Sequence, residues 1–467
     1  MKLHFFGGAR TVTGSRFLLE VHHTRLLLEC GLFQGRRKDT YEQNLNFQFN
    51  PGEIDAVVLS HAHIDHSGNL PNLVRQGFSG PIYATPATVD LCRPMLLDSA
   101  YLQEKDVEFV NKIRRRKGEP PVEPLYDKAA AEAALELFVP VEYVDTREIA
   151  PGIHLTFRDA GHILGSAQVL LEVRANGRSV RFGFSGDLGR RDMPVLRDPD
   201  YLRDLDYLMM ESTYGNRTHR VSEDVAEELA ELIRRTAHEG GKIIVPAFAV
   251  GRTQLLVYLL HKLWDQNRIP DMPIFVDSPL AVNVTEVFRR HPECLDRETH
   301  RIFLDNHEDP FGFRRLRYVR DVEDSKRLNT LNMPCIIISA SGMAEGGRIL
   351  HHLRNNIGNP KNVILLVGYA AQHTLARRLM DGEKKVRIFG EEHVVRARVV
   401  RMDDFSAHAD REGLLELLRC QPRERLRGLF LVHGEEDQIE AFAATARSLG
   451  YRNVLVPSNG DAVRLEV

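Results

Sequence analysis

Three histidines and an aspartate, His61, His63, Asp65 and His66, fall within six residues in the stretch Leu59-Ser60-His61-Ala62-His63-Ile64-Asp65-His66-Ser67-Gly68. They stand where an apolar run, Asp55-Ala56-Val57-Val58-Leu59, gives way to a helical segment. Imidazole nitrogen and carboxylate oxygen at an open site suit zinc best, with manganese or iron as alternatives, and point to hydrolytic chemistry. His61 and His63 are two apart in an extended segment, so both side chains point to one side and can reach one metal. Asp65 and His66 follow where the chain turns and can face a second. The competing reading is a polar loop with solvated or capping histidines. A lone histidine says little, whereas four spaced ligands point to a metal.

Further candidates stand at the ends of apolar runs. Ile153 to Phe157 leads into Asp159-Ala160-Gly161-His162, and the strands Gln168 to Val173 and Val180 to Phe184, joined by a turn at Asn176-Gly177, end at Ser185-Gly186-Asp187. His162 and Asp187 each lie beside glycines at a strand end, where a side chain can reach the edge of a sheet. Asp206 to Glu211 is another apolar strand ending in a carboxylate, and His408 and His433 lie beside later apolar runs.

A chain of 467 residues with 43% hydrophobic content can bury more than one core, and two domains are expected. Its formal net charge of −3 gives no global basic footprint, so a nucleic-acid surface has to be a local patch. The five cysteines form no C-x-x-C pair and read as core thiols of a reduced, cytoplasmic protein. No apolar run is long enough to span a bilayer, and the N-terminus lacks a secretory apolar stretch. The basic run from Asn111 to Lys117 reads first as a solvated helix face, with an RNA contact as the alternative.

In the first half, Lys2 to Phe6, Arg16 to Val21 and Arg25 to Glu29 read as strands. From Lys242 onward strands and helices alternate, with Lys242 to Val245, Pro273 to Val276, Cys335 to Ile338 and Val363 to Val367 as the strands. Such βα repeats imply a mostly parallel sheet with helices on both faces and ligands at the carboxyl ends of its strands. The loops after these strands, around Arg252, Asp277 and Ser341-Gly342, are small and polar and are expected to open helices. Free N–H groups at a helix start favour an anion such as phosphate.

The pattern His-x-His-x-Asp-His after an apolar strand resembles the signature of the metallo-β-lactamase superfamily. That resemblance implies an αββα sandwich with a one- or two-metal hydrolase site on its edge. Glu211, Asp-Phe-Ser-Ala-His408 and Leu-Val-His433-Gly-Glu in turn resemble the further motifs of the β-CASP nucleases, in which a second domain is inserted into the first. The resemblance runs from Gly7 to about Glu435. It is nearest to prokaryotic RNA-processing members, relatives of the endonuclease subunit of the pre-mRNA 3′-end cleavage machinery, without the N-terminal RNA-binding module of some archaeal relatives.

By that match, residues 1–212 and 393–467 form the metallo-β-lactamase domain and 213–392 the β-CASP domain. His61, His63, His162 and Asp187 hold one zinc, and Asp65, His66, Asp187 and His433 the other, giving two zincs per chain. Asp65, Asp187, Glu211 and His408 form the catalytic set, with His408, oriented by Glu211, as acid for the leaving group. Arg252, Ser341 and Gly342 contact substrate. Histidine at the position of His433 belongs to the RNA-acting branch, so the implied activity is a zinc-dependent ribonuclease that cuts internally, from the 5′ end, or both, with RNA as partner and a homodimer compatible with the pattern. A DNA-directed or small-phosphodiester hydrolase and an inactive RNA-binding scaffold are the alternatives. Two departures from the family stand out: Glu29 where an Asp is usual, and Gln372-His373 where an acidic residue and a glycine are common.

Overall fold

The computed structural model describes the chain apart from Arg36, Asn176, Arg220, Val221, residues 305–308, Tyr369, Ala371, Gln372 and Val467. Asn176 of the expected hairpin turn and Gln372 of the second departure thus lie outside the described residues. The rest divides into two compact units. The first comprises Met1–Asp192, Asp198–Thr218 and His408–Val467, and the second Met193–Arg197 and His219–Ala407.

Two seven-stranded sheets build the first unit. One runs in spatial order Ala462–Arg464, Lys2–Gly7, Arg16–Val21, Thr24–Leu28, Ala56–Val58, Ile82–Ala84 and Phe138–Pro140. The other runs Val454–Leu455, Gly428–Val432, Tyr207–Glu211, Arg178–Phe184, Ala167–Ala175, Ile153–Asp159 and Thr146–Ala150. Alternate residues of both sheets meet in one buried core that includes Phe5, Phe17, Phe157, Phe182, Phe184 and Phe430. Phe17 packs edge-on against Phe5 and Phe184, with ring centroids 6.1 and 5.6 Å away. Each such side chain contributes about 1.5–3 kcal/mol when fully buried. The second sheet's outer face carries Leu208, Met210, Leu429 and Leu431, which pack against the helices Arg411–Arg419 and Glu436–Ser448. Tyr207–Glu211 and Gly428–Val432 are buried at every residue because both faces of this sheet are covered, which is why they read as unbroken apolar runs.

The second unit holds a six-stranded, wholly parallel sheet in the order Leu316–Tyr318, Ile274–Val276, Ile336–Ser339, Ile243–Pro246, Val363–Val367 and Arg398–Met402. The strand Arg398–Met402, read from the sequence as part of the returning first domain, pairs with Val363–Val367 and so extends this second sheet. The helix expected after the Ser341-Gly342 loop starts at Arg348, after Gly347 at φ 78°. The basic run from Asn111 to Lys117 closes a 32-residue helix, Pro86–Lys117. Among the described residues no helix is long and apolar enough to cross a membrane.

Candidate metal centre

Strand direction delivers the side chains of the site to one edge of the first unit. Arg178–Phe184, Tyr207–Glu211 and Gly428–Val432 are parallel neighbours, so their carboxyl ends coincide. Asp187 lies three residues past the first of these strands, Glu211 ends the second, and His433 directly follows the third. His162 sits in the turn between the antiparallel strands Ile153–Asp159 and Ala167–Ala175, at the end adjoining Phe184. From the other sheet, Ala56–Val58 feeds the extended segment of His61 and His63, and His63 caps the short helix Ile64–Ser67 that carries Asp65 and His66.

Close backbone packing holds these loops. Asp65 O accepts from Ser15 N at 2.9 Å, and Cys30 N donates to His66 O at 2.7 Å. Gly31 lies against the same Asp65 carbonyl so tightly that a Cβ there would stand 1.7 Å from its oxygen. Behind that loop Arg16, only 2% exposed, donates to Gly31 O, Gln43 O and Asn44 Oδ1 and lies over the rings of Phe33 and Phe47. Burial lowers its pKa to about 10.

The ligand-type atoms gather in two groups. His63 Nδ1 lies 3.1 Å from His61 Nε2 and 3.2 Å from His162 Nε2, and Asp187 Oδ2 lies 3.4 and 3.5 Å from the same two Nε2 atoms. His66 Nε2 lies 3.3 Å from His433 Nε2, which is 3.5 Å from Asp65 Oδ2. Asp187 Oδ1 is 3.3 Å from His66 Nε2 and 3.4 Å from His433 Nδ1. The two oxygens of one carboxylate therefore face the two groups separately. Ligand atoms of His61, His63, His162 and Asp187 all fall within 4.8 Å of one another, as do those of Asp65, His66 and His433; Glu29 with His61 and His66, and Asp187 with Glu211 and His408, form two further overlapping sets.

Glu29 sits behind both groups at φ 64°, fully buried. Its Oε1 accepts from Ser60 N at 2.7 Å, and its Oε2 accepts from Ser60 Oγ at 3.0 Å and from His66 Nδ1 at 2.6 Å. Ser60 Oγ also meets His61 Nδ1 at 2.9 Å. One carboxylate thus fixes two imidazoles with Nε2 turned inward, an arrangement that suits metal ligation. Thr213 Oγ1 similarly lies 3.2 Å from His433 Nδ1. The sequence reading gave Ser60, Thr213 and Arg16 no role. A serine directly before the first histidine was the one local signal.

Charge separates the imidazoles. Burial, reinforced by His66, lowers the His61 pKa, and burial with His61 lowers that of His63 to about 3. His162 is held well below its usual value by burial and by His408. Burial opposes charge on His66 too, but Asp187 and Glu29 outweigh it and raise its pKa well above the ordinary value. Burial likewise works against an ionised Asp187, yet His433, His66 and His61 hold its carboxyl well below the usual range. Asp187 Oδ1 and His162 Nδ1 are buried without a hydrogen-bond partner. A buried carboxylate oxygen lacking a donor and flanked by imidazole nitrogens is what a cation satisfies, so this donor set fits a metal.

His408 stands beside the groups. Its Nδ1 is 3.2 Å from both Glu211 oxygens and 3.9 Å from Asp187 Oδ2. Glu211 is fully buried and also accepts from Leu188 N at 2.5 Å and Thr213 N at 3.3 Å. Burial disfavours charge on His408, but Glu211 and then Asp187 outweigh it and raise its pKa.

The three expected substrate contacts belong to the second unit. Arg252 begins the helix Arg252–Asp265 after the strand Ile243–Pro246, and its guanidinium lies against Gly368. Ser341 and Gly342 follow the adjacent strand Ile336–Ser339. Ser341 Oγ accepts from Glu345 N at 3.2 Å, and a Cβ on Gly342 would stand 2.7 Å from the Phe248 ring. Asp277, in another of the expected anion loops, is instead a buried carboxylate.

Family models match three stretches of this chain: Metallo-beta-lactamase superfamily over residues 13–235, Beta-Casp domain over 253–379, and Zn-dependent metallo-hydrolase RNA specificity domain over 392–457. A ribonuclease of Thermus thermophilus is 38% identical over 441 residues, 94% of this chain and 95% of that protein. The transcription termination factor FttA of Methanocaldococcus jannaschii is 30% identical over 476 residues, covering 100% of this chain and 72% of its own. A crystal structure of a protein of unknown function from Enterococcus faecalis shares the fold over 99% of both chains, with a TM-score of 0.54 and 14% identity.

Proposed function

The chain belongs to the β-CASP nucleases of the metallo-β-lactamase superfamily, and from that premise we propose that it is a two-zinc ribonuclease acting in RNA processing or decay. It is a metal-dependent nuclease by family. The observation that carries the finer reading is the divided Asp187 carboxylate, with Oδ2 toward His61 and His162 and Oδ1 toward His66 and His433. In this reading His61, His63, His162 and Asp187 hold one zinc, and Asp65, His66, Asp187 and His433 the other. When bound, such a pair lowers the cost of forming a hydroxide nucleophile and offsets charge on the phosphoryl oxygens.

The protein's own groups do the rest. Glu29 and Ser60 keep the Nε2 atoms of His66 and His61 turned inward, and Thr213 steadies His433. Glu211 fixes Nδ1 of His408, so Nε2 is the nitrogen that passes a proton to the departing 3′ oxygen. Support for RNA comes from the match to the RNA specificity domain, which spans both His408 and His433. Arg252, Ser341 and Gly342 lie beyond the carboxyl ends of adjacent parallel strands, where α/β sheets collect ligands, and are assigned to RNA phosphates. The five cysteines remain thiols, four of them buried, which supports a reducing, cytoplasmic setting.

His408→Ala tests the reading. It should keep its metal and bind RNA, yet cleave end-labelled RNA about 10²–10⁴-fold more slowly. A nitrophenyl phosphodiester, whose leaving group needs no proton, should suffer far less. Loss of metal, or equal losses on both substrates, would remove the acid role from His408.

A further inference from the structure

The helix Pro86–Lys117 begins against the loop of His162. Thr85 at its cap and Thr88 in its first turn donate through Oγ1 to Gly165 O at 2.6 and 2.9 Å. Leu91, Cys92, Met95, Leu96 and Ala100 are buried and anchor its first half. From its start the helix reaches about 22 Å along its axis at Tyr101 and about 45 Å at Arg116. One face of the second half is covered by the chain's own return, with Val107 buried and Asn111 exchanging hydrogen bonds of 2.8 and 2.9 Å with the backbone of Val122. The opposite face interleaves rings and cations. Tyr101, Lys105, Phe109, Lys112 and Arg116 are all exposed, and at 3.6 residues per turn they fall within about 80° of arc. Tyr101 and Phe109 are exposed to 55% and 66%. No acid falls inside that arc. Glu108 borders it on one side, paired with Lys105 at 2.8 Å in an exposed contact weak enough for a phosphate to displace. Asp106 lies on the other side, beyond Leu102 and Ile113.

From Phe109 to Gly118 the chain carries cations and no carboxylate side chain. Arg114 is tied to Glu119 and to Pro120 O, at 3.0 and 2.6 Å, whereas Lys112, Arg115, Arg116 and Lys117 have no ion-pair partner among the described residues. Basic residues in a last turn suit the helix dipole, but the dipole asks for no exposed rings and does not account for Lys105 or Lys112. We propose that this stripe holds single-stranded RNA outside the metal centre, with bases on the rings of Tyr101 and Phe109 and phosphates on Lys105, Lys112 and Arg116. The contact rests on the ribonuclease reading and adds to it a grip on the part of the strand that is not being cut. Rings interleaved with cations match a strand whose bases and phosphates alternate, and stacking accepts any base, so the grip is indifferent to sequence. A bilayer surface asks instead for an apolar face set apart from a basic one. On a chain of formal net charge −3, a polyanion has to be held by such a local patch.

Fluorescence anisotropy of a labelled, phosphorothioate-protected single-stranded RNA of about 20 nucleotides, titrated with the metal-loaded full chain, tests this. Phe109→Ala should weaken binding roughly tenfold and leave its salt dependence unchanged, because a stacked base carries no charge. Lys112→Ala and Arg116→Ala should each flatten the slope of log affinity against log salt by about 0.7. In all three, melting temperature should stay that of the wild type, as should cleavage of a tetranucleotide too short to span the roughly 34 Å of helix to Phe109. A wild type that binds and cuts RNA while the variants bind equally well, or charge variants that keep the full slope, would overturn the stripe alone. A wild type that binds no RNA would overturn the ribonuclease reading and the stripe with it. Slower cleavage of the tetranucleotide would assign the loss to a damaged centre. Variants that lose binding to anionic lipid vesicles with RNA binding intact would give the face to a membrane. Either of these last outcomes also overturns the RNA contact.

Discussion

Two buried aspartates, one in each unit, stand beyond the ends of parallel strands among histidines, yet their surroundings differ in one decisive respect. Asp277 in the second unit is fully buried, and ordinary donors satisfy both its oxygens. Arg348 Nη1 meets Oδ1 at 2.6 Å, while Ser325 Oγ and His352 Nε2 meet Oδ2 at 2.5 and 2.6 Å. His352 is itself tied through Nδ1 to Asn329 Oδ1 at 3.0 Å. Asp187 in the first unit is as deeply buried, but its Oδ1 has no hydrogen-bond donor and faces two imidazole nitrogens. A saturated carboxylate is a strut, because its charge is already answered by protein groups. An unsaturated one among inward-turned imidazole nitrogens asks for a cation from outside. Within a loop whose sequence suggests an anion cradle, Asp277 itself is therefore a buried carboxylate held by protein donors.

The comparison breaks most visibly at Asp187. Asp187→Ala should cost roughly 10³-fold or more in RNA cleavage together with bound metal, while far-UV circular dichroism of the metal-free protein stays close to that of the wild type. Retention of two metals per chain with full activity would put Asp187 in the same class as Asp277. The matched change, Asp277→Ala, should leave metal content alone and destabilise the second unit by about 3–5 kcal/mol, since Arg348 and His352 lose their shared partner. Denaturant unfolding with metal analysis on one sample separates these outcomes, and metal loss without destabilisation would invert the assignment.

A smaller effect sharpens the strut. Burial alone would raise the Asp277 pKa, but hydrogen bonds from His352, Ser325 and Arg348 outweigh it and hold the carboxyl below its ordinary 3.8. Its contribution to stability is therefore complete above that value and is lost as pH falls below it toward the depressed folded value. Asp277→Asn carries no such charge. Its stability deficit against the wild type should shrink over that acid window, and a deficit unchanged with pH would mean that ionisation of Asp277 contributes nothing.

Much of the candidate centre was legible in the sequence because its ligand-type residues are local. His61, His63, Asp65 and His66 share one turn of chain, and the two-residue spacing of the first pair fixes their common direction whatever surrounds them. The apolar strands before Glu211 and His433 announced themselves because a strand covered on both faces must be apolar throughout. What the sequence could not determine depends on which strands become neighbours. Parallel pairing of Arg178–Phe184, Tyr207–Glu211 and Gly428–Val432 is a matter of register between segments of which the last comes more than 200 residues after the other two, and only that register lets Asp187 divide its oxygens between two groups. The supporting roles of Ser60, Thr213 and Arg16 arise from side chains that meet only after the loops pack. The strand Arg398–Met402 joins the second sheet because its hydrogen bonds find Val363–Val367, and the loop of Asp277 becomes a strut because a helix some 70 residues later brings Arg348 and His352 to it. Residue types and short spacings set the available chemistry, whereas long-range packing decided whether each buried charge was answered by protein donors, as at Asp277, or left with an unsatisfied oxygen, as at Asp187.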